Sequence, residues 1–185
     1  MKSDKKKWEL LTRTTVYDGS PYVKISLDKI KLPSGKIIDD YHRIEIQDAV
    51  MLLVENDNKE LLVYNEYRHG IGDMSLTFPA GGIESNETLI DAARRELKEE
   101  TGYEGKYIEL LNKYTVSGSY MFAKLSYMII RDIKKIQEPT SKDIENPEII
   151  WMKREIIQRS LAKNLFKGLT YSAGAMKWLL FTENE

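Results

Sequence analysis

The segment from Thr88 to Thr101 constrains this chain more than any other. Leu89, Ile90, Ala93, Leu97 and Thr101 recur at helical spacing and define one apolar arc. Thr88 is a candidate N-cap with Asp91 at the capping-box position, and Gly102 is a natural stop just past the end. On a wheel turning about 100° per residue, Glu100 falls inside the apolar arc, between Leu89 and Ala93. Glu96 sits at the edge of the arc, and Glu99 projects on the neighbouring side. Spacings of three and four residues make these three carboxylates neighbours. Like charges so placed destabilise a helix, and a desolvated carboxylate costs far more. A solvated glutamate-rich face would avoid the cost, but the inward position of Glu100 argues against it. Arg95 can neutralise one of the anions. A divalent cation would compensate the cluster, because hard cations prefer oxygen ligands. The turn before the helix, Pro79-Ala80-Gly81-Gly82, brings backbone close to the same place, and its carbonyls are further oxygen donors. It is not a phosphate loop of the Walker type, which requires a Lys-Ser/Thr pair after the glycines.

Composition narrows the chemistry further. The chain has 185 residues, one domain's worth with room for a small appendage. There is no cysteine, which excludes disulfides, thiolate metal sites and cysteine nucleophiles. Only two histidines are present, His42 and His69, so any metal is held mainly by oxygen, which points to Mg²⁺ or Mn²⁺. The 28 basic and 29 acidic residues balance to a net charge of -1, which argues against a broad nucleic-acid surface. No apolar run approaches the length of a membrane span or follows the basic N-terminus as a signal peptide would. A cytoplasmic protein is the default expectation.

Along the chain, residues 1–47 read as a β-rich leader of about three antiparallel strands. Asp18-Gly19 and Pro33-Ser34-Gly35 supply its turns. Between them Val23, Ile25, Leu27, Ile30 and Leu32 alternate with polar residues, with a one-residue slip. Such a leader is too small for a core of its own and must pack on the rest of the chain or on a partner subunit. Residues 48–185 form the second part. AVMLLV and ELLVYNEY around Asn56-Asp57-Asn58 predict a hairpin in a central sheet. YIELLNKY, LSYMIIRD and PEIIWMK predict further strands. Residues 154–181 predict two helices broken near Gly168, with apolar faces from Leu161, Leu165, Leu169, Met176, Leu179 and Leu180. The order of elements fits a mixed α/β (α+β) sandwich.

The helix and its turn also carry a family signature. Gly81, Glu87, Arg95-Glu96-Leu97, Glu99-Glu100 and Gly102-Tyr103 resemble the Nudix box, G-x5-E-x7-R-E-U-x-E-E-x-G-U. All seven defined residues match, and Tyr103 stands where a bulky aliphatic residue is usual. Seven residues at ~6% usage each would coincide on the order of once in 10⁶ such sequences. The β-rich leader and the C-terminal GLTYSAGAMKWLLF extend the resemblance to the ADP-ribose and nucleoside-diphosphate-sugar pyrophosphatase branch of the Nudix hydrolases.

That resemblance implies a Nudix-type α/β/α sandwich preceded by the small antiparallel sheet, and a homodimer formed through that sheet. It implies Mg²⁺-dependent hydrolysis of a pyrophosphate linkage, giving a nucleoside monophosphate and a sugar phosphate. Metal ligation falls to Glu96, Glu100 and the Ala80 carbonyl, with Glu99 as a further ligand or base. Glu87 and Arg95 would orient the ligand helix through a salt bridge. Arg68 stands where relatives place a phosphate-binding arginine; an exposed strand-end arginine is the other reading. Tyr17 and Tyr41 are candidates for stacking on a nucleobase and Arg43 for reaching a phosphate.

The chain departs from the branch in three places. The segment YTVSGSYMFAK lacks the usual Ser-Pro-Gly, and residues 110–131 contain no acidic residue. That leaves SKDIENPE to supply a general base, with Asp143, Glu145 and Glu148 available and Glu145 favoured by position. Thr77 stands where a glutamate is common. Two other readings stay open: a Nudix hydrolase of dinucleoside polyphosphates or nucleoside triphosphates, and a ligand sensor of the same fold without catalysis.

Overall fold

The structure, a computed structural model, describes residues 7–140 and 147–182. Its strands are β1 (Glu9–Gly19), β2 (Val23–Lys31), β3 (Ile37–Glu45), β4 (Ala49–Val54), β5 (Leu61–Arg68), β6 (Asp73–Thr77), β7 (Ala80–Gly82), β8 (Tyr103–Thr115), β9 (Met121–Phe122), β10 (Lys124–Lys135) and β11 (Glu148–Met152). Its helices are α1 (Leu89–Thr101), α2 (Arg154–Ala162) and α3 (Leu169–Thr182). The chain divides into two units, one of the residues to Asp48 with Thr115–Lys124, the other of Ala49–Tyr114 with the residues from Leu125 onward. The sequence reading placed 115–124 with the second part. Those residues group with the first because β9 pairs with β3, through Ile44 opposite Met121.

The first unit is a four-stranded sheet in the order β1-β2-β3-β9. Both expected turns are present, with the Tyr22 amide donating to the Gly19 carbonyl and the Gly35 amide to that of Leu32. The slip in the alternation of β2 is a register shift against β3 between Asp28 and Ile30. Its buried face differs from the expected one. Ser26, Asp28 and Ile30 are buried, while Val23, Ile25 and Leu27 are half-buried. Asp28 tolerates burial because Arg13 on β1 grips it with two nitrogens, at 2.6 and 2.9 Å. The same grip holds the Asp28 carboxyl below its ordinary pKa.

The second unit has two sheets, ordered β7-β4-β10-β8 and β11-β5-β6. Here the predicted hairpin is corrected. β4 and β5 follow one another around a turn but meet only at one bridge, Glu55 to Leu61. Both edges of β4 are already taken, by β10 in parallel and by β7 in antiparallel. β5 pairs with β11 and β6 instead. Their continuous apolar runs thus mark strands buried on both faces rather than a hairpin pair.

Helices cover both faces of the β4–β10 sheet. Val50, Leu52, Val54, Met128 and Ile130 join Ala92, Ala93 and Leu97 of α1, with Leu62 and Tyr64 from the second sheet, in one core cluster. Alternation turns Tyr127 to the other face, where its hydroxyl donates to the Thr170 carbonyl of α3 at 2.7 Å. That placement gives the expected mixed α/β/α arrangement. α3 is apolar on all sides, so packing rather than periodicity selects its buried face. Ala175 and Trp178 are buried, whereas Leu169, Met176 and Leu180, expected in the core, are exposed. Trp178 donates its indole N–H to Glu55, a carboxylate buried at the end of β4 and also paired with Lys59 and Arg131. Among the described residues no helix is long and apolar enough to cross a membrane.

Candidate active site

Helix α1 is built as its sequence requires. The Thr88 hydroxyl caps it by accepting from the Asp91 amide, and Gly102 ends it in a left-handed conformation, φ 73°. A side chain at Gly102 would also collide with the backbone of Gln137. The buried residues of α1 are Ala92, Ala93, Glu96, Leu97 and Thr101. The apolar arc is therefore rotated from the expected one toward Ala92, and Ile90 lies outside it, 41% exposed. The rotation exchanges the two glutamates. Glu96, expected at the edge, is the buried one at 8% exposure, and Glu100 is half-buried.

The preceding turn makes room for Glu96. β7 is pinned to β4 through Ala80 opposite Met51 and Gly81 opposite Val50. A β-carbon on Gly81 would overlap the carboxylate of Glu96, so only glycine permits this approach. The Ala80 amide donates to Oε2 of Glu100 at 3.3 Å. Turn and helix thus meet through two carboxylates of the same helix flank. Glu99, one residue before Glu100, is half exposed.

Arg95 ties the assembly together. Its Nε and one terminal nitrogen donate to the two oxygens of Glu87 at 2.9 and 3.0 Å, and the second of these also donates to the Gly82 carbonyl at 2.9 Å. The other terminal nitrogen donates to Glu96 at 2.7 Å and lies 3.5 Å from Glu99. Glu87 additionally accepts from the Glu84 amide at 3.0 Å. These bonds, led by that to Arg95, hold the Glu87 carboxyl below the ordinary range; Glu87 in turn raises the Arg95 guanidinium. The salt bridge expected between Glu87 and Arg95 is present.

Oxygen donors from Glu96, Glu99, Glu100 and Ala80 lie within one helical turn and one tight loop, a set suited to a hard divalent cation. Their partners are at present protein groups, Arg95 and the Ala80 amide. Among the described residues no three acidic or histidine side chains already converge as a metal cage.

The other predicted residues stand elsewhere. Arg68 ends β5, where it donates to Glu66 at 3.2 Å and lies 6.0 Å from the ring of Tyr171. Tyr17, Tyr41 and Arg43 belong to the first unit. Tyr17 is exposed; the Tyr41 hydroxyl donates to the Ser119 carbonyl, with Trp8 edge-on at 5.8 Å. Arg43 lies 3.5 Å over the ring of Phe122 and donates to Glu45 at 2.7 Å. Asp143 and Glu145 lie outside the described residues. Glu148 opens β11, exposed and opposite Asn65. Thr77 donates to Glu66 at 2.6 Å, and Glu66 is buried. Sequence reasoning missed Glu66, although alternation from Leu62 and Tyr64 places it on their face.

A family profile for the NUDIX domain matches residues 45–170, and one for the nucleoside diphosphate sugar hydrolase N-terminal domain matches residues 8–44. The chain belongs to the NUDIX hydrolase family. Hydrolases of this family generally use divalent metal ions. Curated NUDIX relatives include the ADP compounds hydrolase NudE of Escherichia coli, 31% identical over 102 residues, covering 55% of this chain and 52% of that one. The ADP-sugar pyrophosphatase of Mus musculus is 31% identical over 105 residues, covering 56% and 45%. The ADP-ribose pyrophosphatase of Bacillus subtilis is 21% identical over 133 residues, covering 72% and 71%. The matched stretch thus spans about half the length of the first two. A crystal structure of an ADP compounds hydrolase shares the fold with a TM-score of 0.84 at 22% identity, covering 97% of this chain and 96% of that one.

Proposed function

We propose that this NUDIX protein hydrolyses the pyrophosphate linkage of a nucleoside diphosphate sugar of the ADP-ribose type, using Mg²⁺, with Mn²⁺ as a substitute. The products are a nucleoside monophosphate and a sugar phosphate. The observation that carries the reading is the Glu96 carboxylate lodged against Gly81, with Glu99 and Glu100 beside it and Arg95 bracing the helix to Glu87. The substrate class is supported by the N-terminal domain match and by the activities named for the relatives.

Glu96, Glu100 and Glu99 would hold the metal, with the Ala80 backbone adding an oxygen. A bound divalent cation supplies positive charge against the dense negative charge of the pyrophosphate and its transition state. The chain's own residues supply position. Arg95 fixes the helix against the Gly82 carbonyl and Glu87, so the backbone that carries the carboxylates is held in place. Glu99, the most exposed of the three, is free to take a proton from the attacking water, and Glu145 is the alternative base. Arg68 would neutralise a phosphate, with Glu66 setting its direction.

The first unit is proposed to form a homodimer. Trp8, Leu10, Val16, Tyr17, Tyr22 and Ile37 are exposed there and are candidates for contact with a second copy. Light scattering at twice the chain mass is expected; a monomer would refute the dimer. Replacing Glu99 or Glu100 by Gln tests the catalytic reading. Turnover should fall by roughly 10²-fold or more with folding intact, and an unchanged rate would sink the metal assignment.

A further inference from the structure

Helix α1 is charged oppositely on its two flanks. Glu96, Glu99 and Glu100 face the PAGG turn, whereas Arg94 and Lys98 face away from it and line a cleft of about 360 Å³. Lys106 of β8 and Lys134 of β10 join them there, against Glu104 and Asp132. Four cations thus meet two anions in a chain whose net charge is -1. Buried Leu97 and half-buried Gly105 supply the apolar lining of the cleft.

The cations are poorly neutralised. Arg94 lies 3.9 Å from Asp91 and Lys106 3.5 Å from Asp132, long and exposed pairs of little strength. Lys98 and Lys134 have no ion pair among the described residues. The helix dipole favours Lys98 near the end of α1, but it gives no reason for Lys106 and Lys134 to approach from two strands. Four weakly neutralised cations lining one cleft leave a positive local potential that favours an anion there.

We infer that this cleft binds a phosphate monoester dianion carried on a small organic body. The volume lies within the range of small-ligand pockets. Three lysines and an arginine suit a phosphate as point charges and fork. Leu97 and the aliphatic stems of the lysines suit an apolar or ring-shaped remainder. Both products of the proposed reaction are phosphate monoesters, so the origin of the ligand, though not the site, rests on the proposed function.

The test is calorimetric titration of the whole chain with adenosine monophosphate and, separately, inorganic phosphate, in chelator so that no metal bridges either to the glutamates. Saturable binding of both is expected, with the ester at least as tight. Lys98→Ala with Lys134→Ala should weaken it by about tenfold or more and flatten its salt dependence. Glu96→Gln should leave it unchanged, and circular dichroism should show both variants folded. Absence of saturable binding, or equal binding by the double lysine variant, would overturn the site. Binding needs no turnover, so an inactive protein that still binds would refute the proposed function and keep the cleft.

Discussion

The carboxylate of Glu96 occupies the space that a β-carbon on Gly81 would need. Gly81↔Val50 pairing fixes the backbone on one side and the buried face of α1 fixes the glutamate on the other. Neither can retreat without cost. Gly81→Ala should therefore displace Glu96 by the order of an ångström, and a shift of that size costs about 10²-fold in rate. Steady-state kinetics and a melting curve check it. Loss of activity with a retained melting transition is expected; full activity would show that the approach of turn and helix is unimportant.

Arg95→Lys preserves the charge and removes the fork. A single ammonium cannot reach Glu87, Glu96 and the Gly82 carbonyl together, as Arg95 does. Partners that orient ligand-bearing elements typically cost about 10–100-fold when lost. The expected signature is a lower kcat and weaker dependence on metal concentration, measured by titrating Mg²⁺ into the assay.

The acid limb of the stability curve should carry the Glu87–Arg95 pair. Arg95 depresses the pKa of Glu87 below its ordinary 4.5, so the folded state binds its proton later than the unfolded chain does. The stabilisation is complete above 4.5 and is lost as pH falls through the depressed value. Asp28, depressed by Arg13 from 3.8, acts in the same direction at slightly lower pH. Melting temperatures from about pH 6 to about pH 3 should show wild type above Glu87→Gln by a constant margin that shrinks on acidification. A margin that grows on acidification would contradict the assignment.

Trp178→Phe keeps an aromatic side chain but removes the donor to Glu55 together with part of the buried indole. Glu55 is 1% exposed, and Lys59 and Arg131 remain beside it at 3.1 Å each. Loss of one donor to a buried charged acceptor costs about 1–3 kcal/mol, and the smaller ring adds a packing loss, so a fall of at least that size is expected. Denaturant unfolding measures it, and no loss of stability would mean that water or the cations replace the indole N–H without cost.

Much of this was legible before the structure. The cap at Thr88, the stop at Gly102 and the charged flank of α1 follow from local rules, because a helix declares its period and its ends. The spacing from Gly81 to Tyr103 also foretold which turn meets the helix. The separation of β4 from β5 was not legible, since a continuous apolar run says that a strand is buried but not which neighbours bury it. Glu96 and Glu100 exchanged places because Ala92, too small to weigh in an apolar count, packs better against the sheet than Ile90 does. Asp28 and Glu66 escaped notice for a related reason. A buried carboxylate on a strand becomes visible only with its partner, Arg13 in one case and Thr77 in the other.

The most direct test is a hydrolysis screen with products separated chromatographically. Purified chain with Mg²⁺ would meet ADP-ribose, other nucleotide sugars, dinucleoside polyphosphates and nucleoside triphosphates. The account predicts a nucleoside monophosphate and a sugar phosphate from ADP-ribose or a related nucleotide sugar, with the activity abolished by chelator. Cleavage confined to triphosphates or dinucleotides, or no turnover with either Mg²⁺ or Mn²⁺, would contradict it.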